Sequence, residues 1–334
     1  MGCHSPLKGF RNMDTGGIQF RRENAGEKME VGCGQCLGCR LDYSRMWAMR
    51  IVHESSLYEY TGGNCFVTLT YRDMMDCDLE QCEKKLHVPK DWSLKKEHVQ
   101  RFLKRLRKAF PDQKVRYFYA GEYGRKCKHG IDIELVGCPL CNVGRPHYHV
   151  CLFNCSFDDL EAYQSDGEIM RYTSPKLERL WGYGFVDVGE LNFASASYTA
   201  RYILKKIGMK DPNWYMTCDL DGEITFIAPE YVSMSRGNAA YKGQKVGIGA
   251  GWFERYHSDV FPSDEVPIPG VGVMNGVPRY YDEMYDDMDP IGMEKVKKVR
   301  REFLKAHADD LTEARLMDKH KVCKARVKEK ERTL

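Results

Sequence analysis

The sequence predicts an α+β protein with one sheet covered by helices. Four runs rich in β-branched and aromatic residues have strand character, segments of helical spacing separate them, and no internal repeat interrupts the pattern. The strands are Cys65 to Tyr71 (CFVTLTY), Val115 to Ala120 (VRYFYA), His147 to Phe153 (HYHVCLF) and Gly184 to Val188 (GFVDV). Between the first two, Val99, Phe102, Leu103, Leu106 and Phe110 recur at helical spacing, which predicts a helix from Ser93 to Phe110. Ser93 is its expected N-cap and Pro111 its stop. That helix should expose Lys95, Lys96, Arg101, Lys104, Arg105 and Lys108, a face open to solvent or to phosphate. Further helices are predicted from Leu41 to Tyr58, Ser174 to Leu180 and Ala194 to Ile207.

At 334 residues the chain has length for about two domains. Residues 1–60 read as a Cys-rich element and helix, 61–262 as a core with a Cys-containing insertion at 125–143, and 263–334 as an acidic linker followed by a basic helical tail. In 263–290 seven carboxylates face one cation, Arg279, amid prolines and glycines, the composition of a linker or surface wrap. Met293 to Leu334 carries fourteen Lys and Arg against eight Asp and Glu, an exposed helix or frayed tail.

The 14 cysteines are too sparse for a secreted disulfide scaffold, so metal binding is the first expectation. A formal charge of +3 does not by itself indicate a polyanionic partner; the basic stretch from Lys84 to Arg116 does more. No run nears the roughly 20 apolar residues of a membrane span and no apolar signal region occupies residues 1–22, so no membrane partner and a cytoplasmic location are expected. With no GxxxxGK[ST], the chain should not be a nucleotide-driven motor.

His147-Tyr148-His149 is the most pointed constellation. On a strand, side chains at i and i+2 share a face, so the imidazoles project together while Tyr148 and Val150 turn into packing. The pair is half a metal site or an accidental surface pair. Glu122, in Gly121-Glu122-Tyr123-Gly124, follows the aromatic strand at what reads as a sharp turn. If the two strands are neighbours it completes a two-histidine, one-carboxylate site with open positions; otherwise it is an ordinary turn carboxylate. In Tyr198-Thr199-Ala200-Arg201-Tyr202-Ile203-Leu204-Lys205, residues four apart stack on one helix face, so both phenols can reach one spot. The pattern fits helix packing or, near a metal, phosphoryl transfer. Cys33, Cys36 and Cys39 form CxxCxxC, with Cys3 or His4 available as a fourth structural zinc ligand. Cys127, His129, Cys138 and Cys141 fall within fifteen residues, a spacing suited to a tetrahedral zinc knuckle.

Taken in order, CxxCxxCR at Cys33 to Arg40, FVTLTY at Phe66 to Tyr71, FLKRLRK at Phe102 to Lys108, GEYG at Gly121 to Gly124, RPHYH at Arg145 to His149 and YxxxYxxK at Tyr198 to Lys205 make the chain resemble the replication initiation proteins of gokushovirus-type microviruses. MSR at Met234 to Arg236 and GIGAGWF at Gly247 to Phe253 extend the resemblance over most of residues 1–260. It implies the HUH endonuclease superfamily: an RRM-like core whose central antiparallel β-sheet, flanked by helices, carries two histidines, with small zinc-binding elements attached. It also implies that His147, His149 and Glu122 bind Mg2+ or Mn2+, that Tyr198 and Tyr202 are nucleophiles, and that Lys205 contacts the scissile phosphate or assists proton movement. The implied activity is nicking and rejoining of single-stranded DNA at the viral origin through a 5′-phosphotyrosine, with a host helicase and polymerase as partners in the host cytoplasm. One departure is the longer, Cys-containing segment joining GEYG to RPHYH. The residues alone also fit a zinc-stabilised, non-catalytic DNA-binding regulator, or a metal-dependent nuclease using water.

Overall fold

The structure, a computed structural model, describes residues 2–72, 89, 91–127, 129–133, 135–139, 141, 143–166, 169–207, 215–218, 223–237, 240–241 and 244–332, without the side chains of 164–166, 169, 202–207, 218, 240–241, 244–245 and 329–332. It opens with β1 (Leu7–Asn12), β2 (Ile18–Gln19) and β3 (Ala25–Val31), an antiparallel sheet ordered β2-β1-β3, followed by α1 (Leu37–Ser56). Next come β4 (Asn64–Thr70), α2 (Lys96–Ala109), β5 (Arg116–Tyr123), β6 (Pro146–Phe153), β7 (Glu161–Asp166), β8 (Ile169–Thr173), α3 (Pro175–Trp181), β9 (Val186–Gly189) and α4 (Phe193–Ile207). The rest comprises β10 (Met216–Cys218), β11 (Ile224–Phe226), β12 (Tyr231–Met234), β13 (Ala240–Tyr241), β14 (Gln244–Lys245), α5 (Ala250–Val260), β15 (Glu265–Ile268), β16 (Gly272–Asn275), α6 (Arg279–Met288), α7 (Pro290–Ala306) and α8 (Glu313–Arg332). Two compact units result, Met1–Met46 with Asp282–Leu334, and Trp47–Tyr281. No described helix is long and apolar enough to cross a membrane.

The second unit is built on a seven-stranded sheet ordered β12-β5-β6-β4-β9-β8-β7, antiparallel at every pairing. Alternation gives the sheet two distinct faces. On one, Val67, Leu69, Tyr148, Val150 and Leu152 pack with Val99, Phe102, Leu103 and Leu106 of α2 and with Leu177 and Trp181 of α3. Each such side chain contributes about 1.5–3 kcal/mol by leaving water. On the other face, Phe118 meets Trp47 of α1 at 5.2 Å between ring centroids, and Cys151 Sγ lies 3.7 Å from Thr199 Oγ1 of α4.

The expected elements all form, with shifted ends. α1 starts four residues early, because the Cys36 carbonyl already accepts the Arg40 N–H at 3.0 Å. α4 starts at Phe193, where the Asn192 side-chain oxygen accepts the N–H groups of Ala194 and Ser195 at 3.0 and 3.1 Å. Ser93 does not cap α2: its hydroxyl accepts the Ala228 N–H at 2.9 Å, and the cap position falls to Lys95, whose side chain makes no capping bond. Two of the six cations expected to be exposed are engaged instead. Lys95 pairs with Asp91 at 2.6 Å, and Arg105 donates to the Leu180 and Trp181 carbonyls at the end of α3. The stretch 263–290, expected as a linker or wrap, folds into the β15–β16 hairpin and α6, burying Val266, Ile268, Val277, Tyr281 and Met284.

GIGAGWF proves to be a structural element, a tight loop at Gly247 to Gly249 leading into the first turn of α5. Arg50, between the Trp47 and Tyr280 rings at 4.1 Å from each, donates to the Ile248 carbonyl at 3.0 Å. Glu54 accepts the Gly249 N–H at 2.8 Å and pairs at 2.7 Å with Arg116, which also donates to the Gly247 carbonyl. Gly249 has φ 84°, and a Cβ there would lie 2.5 Å from the Tyr281 hydroxyl, so only glycine fits.

His53 lies beside this loop, stacked on Trp252 at 3.5 Å, donating from Nε2 to the Pro267 carbonyl and accepting at Nδ1 from the Tyr281 hydroxyl. Burial pushes its imidazole down to about 4, against the opposing pull of the Pro267 carbonyl. The folded chain therefore keeps His53 neutral where the unfolded chain takes up a proton, and stability falls as pH drops from about 6.5 to about 4. We expect urea unfolding to show up to about 3 kcal/mol of loss over that window, at about 1.4 kcal/mol per pH unit, and His53→Asn to flatten that part of the pH profile.

Candidate active site and metal centres

The antiparallel register of β5 and β6 places Glu122 opposite His147 and Ala120 opposite His149. All three site residues thus lie on the sheet face opposite to Tyr148. Glu122 stands inside β5 rather than at the turn that its flanking glycines suggested. Gly121 serves packing: a Cβ there would lie 3.1 to 3.2 Å from side-chain atoms of Leu94, Tyr231 and Tyr148.

Both imidazoles aim Nε2 at one carboxylate oxygen, Glu122 Oε1, at 2.6 Å from His147 and 2.7 Å from His149. Glu122 and His149 are buried and His147 is half-buried. Their outer nitrogens are held as well: His147 Nδ1 donates to the Arg145 carbonyl and His149 Nδ1 to Thr68 Oγ1, each at 3.1 Å. These bonds fix both rings with Nε2 turned to the carboxylate: carrying a proton, each Nε2 donates to Glu122 Oε1, and without that proton it offers the lone pair a metal ligand needs. Burial raises the Glu122 carboxyl, but hydrogen bonds from His147 and His149, then their charge, outweigh it and bring it down to about 2. An anionic oxygen and two imidazole nitrogens converging on one point make a donor set that fits a divalent cation.

Tyr198 of α4 faces the same group. Its ring lies 5.0 Å from that of His149, edge-on at 82°, and 6.4 Å from Phe66, which itself stacks on His149. The Arg201 guanidinium lies 5.5 Å over the Tyr198 ring. Ala196, Thr199 and Ala200 are fully buried, so the helix seats its small residues inward and keeps Tyr198 half-buried. Tyr202 and Lys205 belong to α4, but their side chains lie outside the described residues.

Two further groups form as the spacing indicated. Cys3, rather than His4, joins Cys33, Cys36 and Cys39, with Cys3 and Cys36 sulfurs 3.8 Å apart. That is about the edge of a tetrahedron with 2.3 Å metal–sulfur bonds. Burial opposes ionisation of Cys36, yet the amide N–H groups of Cys39 and His4 pull its thiol down to about 7. In the second group, His129 Nδ1 lies 3.9, 3.5 and 3.5 Å from the sulfurs of Cys127, Cys138 and Cys141. Both groups could hold a metal ion such as zinc. The second lies between the strands bearing Glu122 and His147, where Gly124 N–H donates to the Arg145 carbonyl and Arg145 N–H to the Lys126 carbonyl, each at 2.8 Å. Gly144 permits this approach, since a Cβ there would fall 1.8 Å from the Gly124 carbonyl oxygen.

Two placements were not evident from the sequence. Phe118 and Tyr119 are buried, so bases have no access to stack on them. The basic helix packs on the Tyr148 face of the sheet, away from the imidazoles. The outer partners Thr68, Phe66 and the Arg145 carbonyl were missed. Period-two alternation along FVTLTY could have placed Phe66 and Thr68 on the site face; nothing in the sequence marked the carbonyl.

Comparison with known proteins gives a consistent answer. The family model described as replication-associated protein ORF2/G2P matches residues 64–207, the span from β4 to α4 that contains the carboxylate, both imidazoles and Tyr198. The chain is 32% identical over 283 residues to the replication-associated protein ORF2 of Spiroplasma virus 4, covering 82% of this chain and 74% of that protein. It is 29% identical over 301 residues to the replication-associated protein VP4 of Bdellovibrio phage phiMH2K, covering 87% and 79%. With the replication-associated protein ORF4 of Chlamydia phage 1 it shares 27% over 263 residues, covering 75% and 52%. No solved structure matches the chain. On this evidence the chain belongs to the family of microvirus replication-associated proteins.

Proposed function

We propose that the protein initiates rolling-circle replication of a phage genome by nicking and rejoining single-stranded DNA at the viral origin, through a tyrosine of α4. The observation that carries this reading is the Tyr198 ring packed 5.0 Å from His149, on the sheet face where Glu122, His147 and His149 converge. A phenol beside a cation-binding group has a use that neither has alone, since tyrosine is a weak nucleophile until charge is drawn from its electrophile.

Glu122, His147 and His149 would hold Mg2+ or Mn2+, which when bound supplies Lewis-acid polarisation of the scissile phosphate. Thr68 and the Arg145 carbonyl keep the imidazoles oriented. The Tyr198 oxygen forms a bond to phosphorus, the bond from phosphorus to the 3′ oxygen breaks, and the phenol proton ends on that oxygen. One phosphoester replaces another, leaving a 5′-phosphotyrosine and a free 3′-OH for the host polymerase. Tyr202, four residues further along α4, would cut the regenerated origin, and the new 3′-OH would attack the first link to close a circle. Lys205, by its place in YxxxYxxK, would contact the phosphate. Strand separation falls to a host helicase, since the sequence carries no phosphate-binding motor loop. The two Cys groups would hold structural Zn2+, each offering four protein ligands and no open position.

Incubation with tiled oligonucleotides from the viral strand and Mn2+, read by denaturing gel, tests the chemistry. The nickase gives one oligonucleotide carried covalently on the protein; Tyr198→Phe and Tyr202→Phe each weaken the adduct and the double variant abolishes it. Cut but unattached DNA would instead mark a water-using nuclease, and intact DNA a non-catalytic regulator. Thr68→Val keeps the shape but removes the His149 partner, and should weaken Mn2+ affinity about 10- to 100-fold by titration calorimetry. Native mass spectrometry should find two zinc ions per chain, with Cys39→Ser and Cys141→Ser each losing one; a chain without zinc refutes that assignment.

A further inference from the structure

The exposed side of α2 has no role in the chemistry just proposed, because α2 packs on the sheet face opposite to the imidazoles. Its inner stripe, Val99, Phe102, Leu103 and Leu106, is buried against Tyr148, Val150 and Leu152. Its outer face presents Lys96, Arg101, Lys104, Arg107 and Lys108, all exposed, against one carboxylate in the helix, Glu97. Among the described residues no carboxylate pairs with any of these five cations. So dense a like charge along one helix costs stability through self-repulsion, which a bound polyanion would relieve.

We propose that this face grips the phosphate backbone of duplex DNA flanking the nick site, while the unpaired strand of the same DNA lies across the opposite sheet face at Tyr198. The inference rests on the nickase reading for the unpaired strand and on α2 alone for the duplex. Two observations favour duplex over single strand. A single-strand groove interleaves cations with open aromatic faces on which bases stack. Here the neighbouring aromatics are taken: Arg107 covers Tyr117 at 5.6 Å, Lys96 covers Tyr231 at 4.9 Å, and His98 stacks on Tyr183 at 4.2 Å. Next, a duplex carries about twice the linear charge of one strand, which suits a surface whose only resource is cation density. Contacts of this kind position a protein on DNA and carry no sequence information. The face would thus hold the origin's paired arm and present its unpaired segment to the opposite side.

Fluorescence anisotropy with two probes tests this: a dT oligomer of about 20 nucleotides, and the same oligomer carrying a hairpin stem of about 12 base pairs. We expect the wild-type chain to bind the hairpin probe about 10-fold more tightly at roughly 50 mM salt. Arg101→Gln, Lys104→Gln and Lys108→Gln combined should erase that preference and reduce the salt slope on the hairpin probe by about 3, near 0.9 per lost contact. Affinity for bare dT should stay within about twofold. Equal losses on both probes, or an unchanged hairpin preference, would overturn the proposal; circular dichroism confirms that the variant is folded. Tyr198→Phe should keep the hairpin preference, so failure of the nicking chemistry and failure of this surface are read separately.

Discussion

The site depends on one register. Because Glu122 pairs with His147, and Ala120 with His149, across the β5–β6 ladder, a carboxylate and two imidazoles arrive on one face without any loop having to place them. A slip of one residue would carry Glu122 to the Tyr148 face and into the core against α2. What opposes the slip is the other face: Tyr119 and Tyr123 of β5 are buried beside Tyr148, Val150 and Leu152, and the slip would turn both rings out of that core as it turned Glu122 in. The chemistry on one side of the sheet is thus held in place by apolar packing on the other.

Among the described residues, the three groups that could hold a metal ion divide by chemical softness. Thiols dominate the two that offer four side chains, and an oxygen donor joins nitrogen in the one that offers three. The Cys127 group also contributes geometry. It closes the connection from β5 to β6 so that the Arg145 carbonyl stands where His147 Nδ1 needs an acceptor. The long insertion between GEYG and RPHYH therefore keeps the two strands paired right up to the residues that matter.

Much of this was legible because strand alternation has a period of two. His147 and His149 sharing a face, with Tyr148 and Val150 buried, follows from position alone, and the core stripe of α2 follows from helical spacing. Glu122 was misplaced at a turn because glycine reads as a turn signal, whereas Gly121 is required by side chains crowding a strand. Cys3 and His4 are adjacent, so spacing could not choose between them. The location of the basic helix was illegible for a different reason: amphipathicity says which face of a helix is buried, but not which face of the sheet buries it. The burial of Phe118 and Tyr119 on opposite faces of β5 was equally hard to read, because a strand covered on both faces lacks the polar alternation that shows which side is dry.

The proposed chemistry requires Glu122, His147 and His149 to form one cation site that receives a DNA phosphate beside Tyr198. Pulsed electron paramagnetic resonance on the Mn2+-loaded protein would read that site. We expect nitrogen couplings from two imidazoles, one lost in each of His147→Ala and His149→Ala, and a phosphorus coupling that appears when an origin oligonucleotide is added to the Tyr198→Phe chain. Bound manganese without imidazole nitrogen, or without phosphorus once DNA is present, would contradict it.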